Sequence, residues 1–328
     1  MTELRMIDAI RGALDDALAA DPAVCVLGED VTVGGPFGAT KDLVERYGEQ
    51  RIRNTPISEG TVVGLAVGAA LAGLRPVVEV MFVDFITLAM DQLVNHAAKL
   101  RYMTGGRLTV PLTIRVQGGA VGAMGAHHSQ SLEAWFVHVP GLKVVAPSTP
   151  SDARALLLAA IRDDDPVVYL EHRGLYWSRG EMDCGGVRLG EAAIRRSGTD
   201  VTIVAWSRMV ATALEAADTL GREGIEAEVI DARTLAPLDL GTIVASVAQT
   251  GRLVVVHEAV ERGGVGAEIA ATVSTQVGNG LRAPVARVGA PFAPVPASAE
   301  LEALYVPSAE RIVEAVRSTV GSTATPVG

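Results

Sequence analysis

The sequence predicts an α/β architecture of two doubly wound domains, on three observations. Short apolar runs of strand length alternate with helix-length stretches along nearly all of the 328 residues, the pattern that builds mostly parallel sheets covered by helices. The alternation stops between His172 and Gly190, where Gly, Arg and polar residues follow without a period, and then it restarts. A hydrophobic content of 49% in a chain of this length supports a substantial core in about two domains.

The elements follow in order. A first helix is expected over Thr2–Ala19, where Glu3, Arg5, Asp8, Arg11, Asp15 and Asp16 are amphipathically spaced, unlike the basic and then apolar layout of a signal peptide. Strands are expected at Val24–Leu27, Val77–Met81, Leu112–Val116, Lys143–Ala146 and Val167–Leu170, and further helices at Lys41–Tyr47, Glu59–Ala72, Phe85–Met103 and Pro150–Arg162. These make a first domain over residues 1–180. Residues His172–Gly190 read as a linker. A smaller second domain, 190–328, carries strands at Val201–Ala205, Glu228–Ile230, Leu253–Val256 and Val285–Val288. Its helices lie at Met209–Leu220, Asp239–Ala248, Val265–Val277 and Ala309–Thr319. Pro291, Pro294, Pro296 and Pro307 interrupt the pattern near the end, and Ser322–Gly328 reads as a frayed tail.

Bulk properties exclude several classes. The longest uncharged apolar run, Thr61–Leu74, is shorter than the roughly 20 residues of a membrane span. A net charge of −10 opposes binding to nucleic acid or an anionic membrane, which reward a basic face. Two cysteines, Cys25 in an expected buried strand and Cys184 in a loop, build neither a disulfide framework nor a multi-cysteine metal site, so a reducing, cytoplasmic setting is expected. There is no Walker A sequence, and Lys41, Lys99 and Lys143 are the only lysines. The glycine clusters Gly118–Gly125 and Gly263–Gly266 lack the dinucleotide-binding spacing and position. Adjacent His127 and His128 would diverge on an extended loop and have no third ligand at helical spacing. His128 reads as an acid, a base or a charge stabiliser, or as an ordinary surface-loop histidine.

Glu59 is the most informative candidate. It opens the glycine-rich helix behind Ser58, a possible N-cap, and an acidic group there is stabilised by the helix dipole. It is therefore either a capping carboxylate or a catalytic one, and we read it as catalytic. Gly64, Gly68 and Gly73 follow. An interior glycine costs roughly 0.5–1 kcal/mol against alanine, so a partner helix or subunit is expected to pack close to this face. The mean hydropathy of +0.31 agrees with apolar surface buried between subunits.

From Ile57 onward the segments ISEGTVVGLAVG, GLRPVVEVMFVDF, AMDQLVNHAAKLRYMTGG, HHSQSLEAWFVHVPGLKVVAPSTPSDA, AAIRDDDPVVYLEH and EVIDARTLAPLD resemble one family over nearly the whole chain. It is the beta subunit of the thiamine diphosphate-dependent decarboxylating component of 2-oxo acid dehydrogenase complexes, of pyruvate and acetoin dehydrogenase type. The resemblance implies a transketolase-like pyrimidine-binding domain followed by a transketolase C-terminal-like domain. It implies that Glu59 shares a proton with the aminopyrimidine ring nitrogen of thiamine diphosphate, so that the exocyclic nitrogen can take the proton from the thiazolium carbon. A desolvated position suits that role. It further implies that Phe85 stacks on the pyrimidine and that Met81 lines the same pocket. His128 would steer the substrate carboxylate or the acyl transfer to lipoamide; His127 departs from the glutamine or aromatic residue expected there. Backbone oxygens around Leu112, Ala160 and Ile161, with Asp163 and Asp165, would bind a structural potassium ion.

The chain contains no Gly-Asp-Gly segment, on which such enzymes hold Mg²⁺ and the diphosphate. The resemblance assigns that motif to a separate alpha subunit, with two of each chain in a heterotetramer and the cofactor between alpha and beta. It gives the second domain the beta–beta contact and docking to a dihydrolipoyl acyltransferase core. The expected activity is oxidative decarboxylation of pyruvate and acetyl transfer to lipoamide, with acetoin cleavage and then the branched-chain 2-oxo acid reaction as alternatives. Met81, Asp84 and Tyr102–Gly106 look more like the pyruvate and acetoin branches. A catalytically silent scaffold is disfavoured by the presence of Glu59, Phe85 and His128. A split transketolase is disfavoured by the His128-Ser129-Gln130-Ser131 run.

Overall fold

The computed structural model describes residues 3–183 and 185–321; Thr2, Cys184 and the tail expected at Ser322–Gly328 lie outside the described residues. The chain forms two compact units. Of the described residues, one unit comprises 3–119 with 127–183 and 185–189, and the other 120–126 with 190–321. The sequence pattern does not foreshadow the allotment of Ala120–Ala126 to the second unit.

In the first unit β1 (Glu3–Arg5), α1 (Met6–Ala20), β2 (Val24–Gly28), α2 (Leu43–Tyr47), β3 (Ile52–Asn54), α3 (Glu59–Leu71) and β4 (Arg75–Val80) come first. Then follow α4 (Ala98–Met103), β5 (Thr113–Gly118), α5 (Glu133–Val137), β6 (Lys143–Val145), α6 (Pro150–Arg162), β7 (Val167–His172) and β8 (Arg179–Glu181). Six of the strands are parallel neighbours in the order β3-β2-β4-β5-β7-β6. Successive side chains alternate between sheet faces. One row, Val24, Val26, Val77, Val167 and Tyr169, packs under Ile10, Leu14 and Leu18 of α1 and Leu156 and Leu157 of α6. The alternate row, Val78, Ile114 and Val168, is in register across β4, β5 and β7 and equally buried. Burial on both faces explains why these strands read as unbroken apolar runs.

Three expectations need correction. The first helix begins at Met6 because Glu3–Arg5 pairs antiparallel with Arg179–Glu181. The single helix expected over Phe85–Met103 is three pieces: a 3₁₀ turn at Phe85–Ala89, a π-helical stretch at Asp91–Ala97, and α4. Thr87 Oγ1 donates to the Asp84 carbonyl at 2.7 Å, which competes with regular helix bonding at the entry. The stretch expected to be a linker is part of the first unit: Arg173–Leu175 is a 3₁₀ turn and Arg173, Leu175 and Tyr176 are buried.

The second unit contains β9 (Ala193–Arg196), β10 (Val201–Ala205), α7 (Met209–Arg222), β11 (Ala227–Asp231), β12 (Thr234–Ala236) and α8 (Leu240–Thr250). They are followed by β13 (Leu253–Val260), α9 (Val265–Val277), β14 (Ala286–Ala290), α10 (Ala299–Tyr305) and α11 (Ala309–Gly321). Its sheet runs β14-β13-β10-β11-β9, with only β9 antiparallel. Helices α7 and α11 share the core with β10 and β13. Gly264 and Gly266 are needed for packing. A Cβ on either would come within 3 Å of the His257 ring, which is itself buried and stacked on Trp206 with centroids 5.3 Å apart. No helix among the described residues is long and apolar enough to cross a membrane.

Candidate active site

Parallel strands deliver their carboxyl ends to one edge of the sheet, and ligands of open α/β sheets sit at such edges. In the first unit that edge gathers Glu29 after β2, Thr55 after β3, Met81 and Phe82 after β4, Gly119 after β5 and Arg173 after β7. Glu59 follows Thr55 by one short turn and opens α3 half-buried. A small cleft is lined by Glu29, Thr55, Glu59, Val62, Glu79 and Met81, among others. Two of the predicted site residues, Glu59 and Met81, thus share one cleft.

Ser58 occupies the N-cap position, but it does not cap through its side chain. Its Oγ donates to Thr61 Oγ1 at 2.7 Å. Glu59, at the first helical position, takes no part in that contact and lines the cleft. Glu29, which sequence reasoning missed, lies close enough to matter. Burial, with the negative charges of Asp30 and Glu59, holds the Glu29 carboxyl above the usual carboxylate range. Thr55 Oγ1 and Glu79 Oε1 are buried without a hydrogen-bond partner, and both residues line the cleft. Such groups are costly unless something satisfies them.

Beside this cleft lies a cluster of three rings. The His128 imidazole stands edge-on to Phe82, with centroids 4.7 Å apart, and to Phe85 at 5.5 Å, while the two phenyl rings are 5.8 Å apart. Phe85 and His128, distant in sequence, are thus brought together, and Phe82, to which the sequence assigns no role, is a further member. His127, by contrast, is exposed. The loop carrying His128 is pinned at Gln130. Gln130 Nε2 donates to the buried Asp84 carboxylate at 2.8 Å, and Gly119 N–H donates to the Gln130 carbonyl at 3.1 Å. Gly119 lies in the left-handed region at φ +92°, and a Cβ there would overlap the His172 ring.

Under the site runs a buried ion cluster. The Arg115 guanidinium donates to Glu79 Oε2 at 2.5 Å and to both Glu171 oxygens at 2.7 and 2.9 Å, and Tyr176 OH donates to Glu171 Oε2 at 2.6 Å. Burial pushes the Glu79 carboxyl up in pKa, against the lowering effect of Arg115. The cluster ties β4, β5 and β7 together directly beneath the cleft.

The residues expected to bind potassium lie at the opposite edge. Leu112 precedes β5, and Asp163 and Asp165 precede β7. Their donors are already engaged. The Leu112 carbonyl accepts from Val167 N–H at 2.8 Å, and the Ala160 carbonyl accepts from Asp163 N–H at 3.2 Å. Arg75 donates to the carbonyls of Ile161 and Asp163 at 3.2 and 3.1 Å. Lys143 binds both Asp163 carboxylate oxygens at 2.7 Å, and Asp165 pairs with Arg101 at 2.6 Å. Among the described residues no group of three or more His, Cys, Asp or Glu side chains is arranged to hold a metal.

On the outside of α3, Gly60 and Gly64 face the chain's own 85–97 segment. Cβ atoms there would stand 3.1 Å from the Leu88 carbonyl oxygen and 3.2 Å from Gln92 Cγ. The close partner expected for this helix is therefore intramolecular for these two glycines. The remaining face is open: Ile57, Leu65, Leu71, Leu74 and Leu88 are exposed, and nothing lies within reach of Gly68.

Comparison with known proteins follows this geometry. Residues 2–178 match the pyrimidine-binding domain of transketolase and residues 190–312 the transketolase C-terminal domain. The chain is 48% identical to the beta subunit of acetoin:2,6-dichlorophenolindophenol oxidoreductase of Cupriavidus necator, covering 95% of this chain and 96% of that one. It is 46% identical to the mitochondrial pyruvate dehydrogenase E1 component subunit beta-2 of Oryza sativa subsp. japonica, over 96% of this chain and 86% of that one. Among solved structures, a split-gene transketolase described as an inactive beta4 tetramer superimposes with a TM-score of 0.79 at 26% identity, covering 97% of this chain and 98% of that one.

Proposed function

Since the chain belongs to the transketolase-like family that includes the beta subunits of pyruvate and acetoin dehydrogenases, we propose that it is the beta half of a 2-oxo acid dehydrogenase first component. The activity is thiamine diphosphate-dependent oxidative decarboxylation of pyruvate with transfer of the acetyl group to lipoamide. The observation that carries the reading is the pairing of Glu59 with Met81 in one cleft at the carboxyl edge of the sheet, in a chain that has no Gly-Asp-Gly segment.

The residues present fit one end of the cofactor. The cleft offers a carboxyl group at Glu59, an apolar wall at Val62 and Met81, and two buried polar atoms without partners, Thr55 Oγ1 and Glu79 Oε1. When bound, thiamine diphosphate supplies the electron sink for loss of carbon dioxide from a 2-oxo acid. Glu59 would hold a proton at the pyrimidine ring nitrogen. Glu29, whose carboxyl is raised in pKa by burial and by the charges of Asp30 and Glu59, lines the same cleft. Met81 and Phe85 would orient the aromatic ring and exclude water. His128, set edge-on against Phe82 and Phe85, would meet the substrate carboxylate or the lipoyl group at the entrance.

The diphosphate and its Mg²⁺ fall to an alpha subunit. The exposed apolar face of Ile57, Leu65, Leu71 and Leu88 beside Glu59 supports such a partner, since contiguous exposed apolar surface marks interaction sites. A second beta subunit and a dihydrolipoyl acyltransferase core complete the assembly in this reading. The buried thiol of Cys25 suits a reducing cytoplasmic location. A potassium ion at Leu112, Ala160, Ile161, Asp163 and Asp165 receives the least support, because Lys143 and Arg101 already pair with Asp163 and Asp165 and Arg75 donates to the Ile161 carbonyl. Acetoin is the second reading for the substrate, favoured by the similarity to the Cupriavidus necator protein.

The test is dye-linked oxidation of pyruvate, acetoin and branched 2-oxo acids by the chain assembled with its alpha partner, with and without thiamine diphosphate. A cofactor-dependent rate with pyruvate is expected, and a rate confined to acetoin would select the second reading. No rate from an assembled complex would reject both. The isolated chain should give no calorimetric signal with Mg²⁺-thiamine diphosphate at micromolar concentration.

A further inference from the structure

We propose that Arg173 is the positioning residue for His128. The inference rests on the reading of His128 given above and adds to it the element that sets its geometry. Arg173 follows β7 at the carboxyl edge of the sheet and is 5% exposed, an unusual burial for a guanidinium. Its NH2 group donates to the His128 carbonyl, to the Gly119 carbonyl at 2.9 Å and to Ser129 Oγ at 3.4 Å. The centre of the same guanidinium lies 5.1 Å from the centroid of the Phe82 ring, and Phe82 is the ring nearest the imidazole, at 4.7 Å.

Arg173 thus holds both things that define the imidazole: the backbone that carries it and the ring it leans on. A rigid, planar guanidinium can fill both roles at once, because its donors lie in the plane and its face is left to stack. Cation–π attraction strengthens when the pair is desolvated. A lysine could supply the charge but has no planar face to lay over the Phe82 ring. The other restraints on the loop, Asp84 to Gln130 and Gly119 to Gln130, act two residues further on and do not reach the His128 carbonyl. Removing Arg173 should therefore leave His128 present but misplaced.

The experiment is a double-mutant cycle in the assembled alpha–beta complex, reading kcat/KM for lipoamide acetylation and for the 2-oxo acid in the dye-linked assay. Arg173→Met should lower the His128-dependent constant by about tenfold to 10²-fold, the loss that a misplacement of about 1 Å produces. Arg173→Lys should recover part of it. Because Arg173 acts through His128, Arg173→Met combined with His128→Ala should be no slower than His128→Ala alone. A double variant slower by the product of the two single effects would overturn the proposal. So would an unimpaired Arg173→Met complex in which His128→Ala is impaired. If the Met variant does not assemble, the cycle is run with Arg173→Lys, which keeps the buried charge, and the same non-additivity is required. An unimpaired His128→Ala complex would overturn the functional reading of His128 itself, and the positioning role with it.

Discussion

Replacing Arg115 with methionine is the sharpest test of how the site is supported. The variant leaves Glu79 and Glu171 facing each other in the interior without the cation that bridges them at 2.5–2.9 Å. The Arg115 and Glu79 side chains are each 1% exposed, so water cannot take over the role. Breaking a buried pair by deleting one partner costs about 3–5 kcal/mol, a third or more of the stability of many domains. The pH dependence follows from the direction of the Glu79 shift. Burial already raises the Glu79 carboxyl above its ordinary value, and Arg115 opposes that rise; without Arg115 the folded-state pKa climbs further. A carboxyl group whose folded pKa lies above its unfolded value penalises the folded state at neutral pH. The penalty shrinks as pH falls through the folded pKa and vanishes below the unfolded one. The deficit should therefore be large at pH 7.5 and clearly smaller at pH 5.5. Hydrogen exchange of the β4, β5 and β7 amides in wild type and variant at both pH values reads this locally, without assuming that two domains unfold together. A deficit of the same size at both pH values, or none, would show that the cluster does not carry the charge balance assigned to it.

Three further outcomes are expected. Glu59→Ala should reduce turnover of the assembled complex by about 10²–10⁴-fold, the range for a lost acid–base group, with the heterotetramer still visible by sedimentation; near-normal turnover would remove Glu59 from the chemistry. Leu65→Glu, on the exposed face of α3, should weaken association with the alpha subunit at least tenfold without altering the circular dichroism of the isolated chain, and unaltered association would place the interface elsewhere. Burial holds the His257 imidazole down at about 4, so the unfolded chain takes up the proton first as pH falls. The stability of the second unit should decline by up to about 3 kcal/mol between pH 6.5 and about 4; His257→Gln should flatten this slope in exchange at β13 amides, and an unchanged slope would clear His257 of responsibility.

Much of this fold is legible in the sequence, because parallel strands buried on both faces must be apolar throughout and stand out between helices. Thus β2, β4, β5, β6, β7, β10 and β13 are found where the apolar runs lie. Glu59 and Phe85 are legible for a different reason. A carboxylate opens the glycine-rich helix and an aromatic stands just past a strand, and the flanking motifs resemble one family. The 3₁₀ and π character of Phe85–Ala97 is not legible, since no change in periodicity accompanies it; the segment packs against Gly60 and Gly64, and Thr87 bonds back to Asp84. The edge strands Glu3–Arg5 and Ala193–Arg196 are also hidden, being short and half exposed.

Glu29, Phe82 and Arg173 show where a linear reading stops. Glu29 carries a positional signal, because it follows the first long parallel strand, and strand ends in such sheets collect ligands. Phe82 gains a role only when the His128 ring is placed against it. Arg173 carries a misleading signal: arginine within a glycine-rich, aperiodic stretch resembles a solvated linker, and its burial depends on three acceptors that the sequence scatters across Gly119, His128 and Ser129. Pattern reading recovers residues whose role is fixed by their own element. Residues that act by joining loops, as Arg173 joins the end of β7 to the His128 turn, become visible only when the parallel sheet has brought its strand ends to one edge. The same topology makes the site asymmetric. One edge holds the cleft with Glu29 and Glu59, and the other is closed by Arg75, Arg101 and Lys143 on the Asp163–Asp165 turn, so the charges that would repel one another at a common edge are separated by the length of the strands.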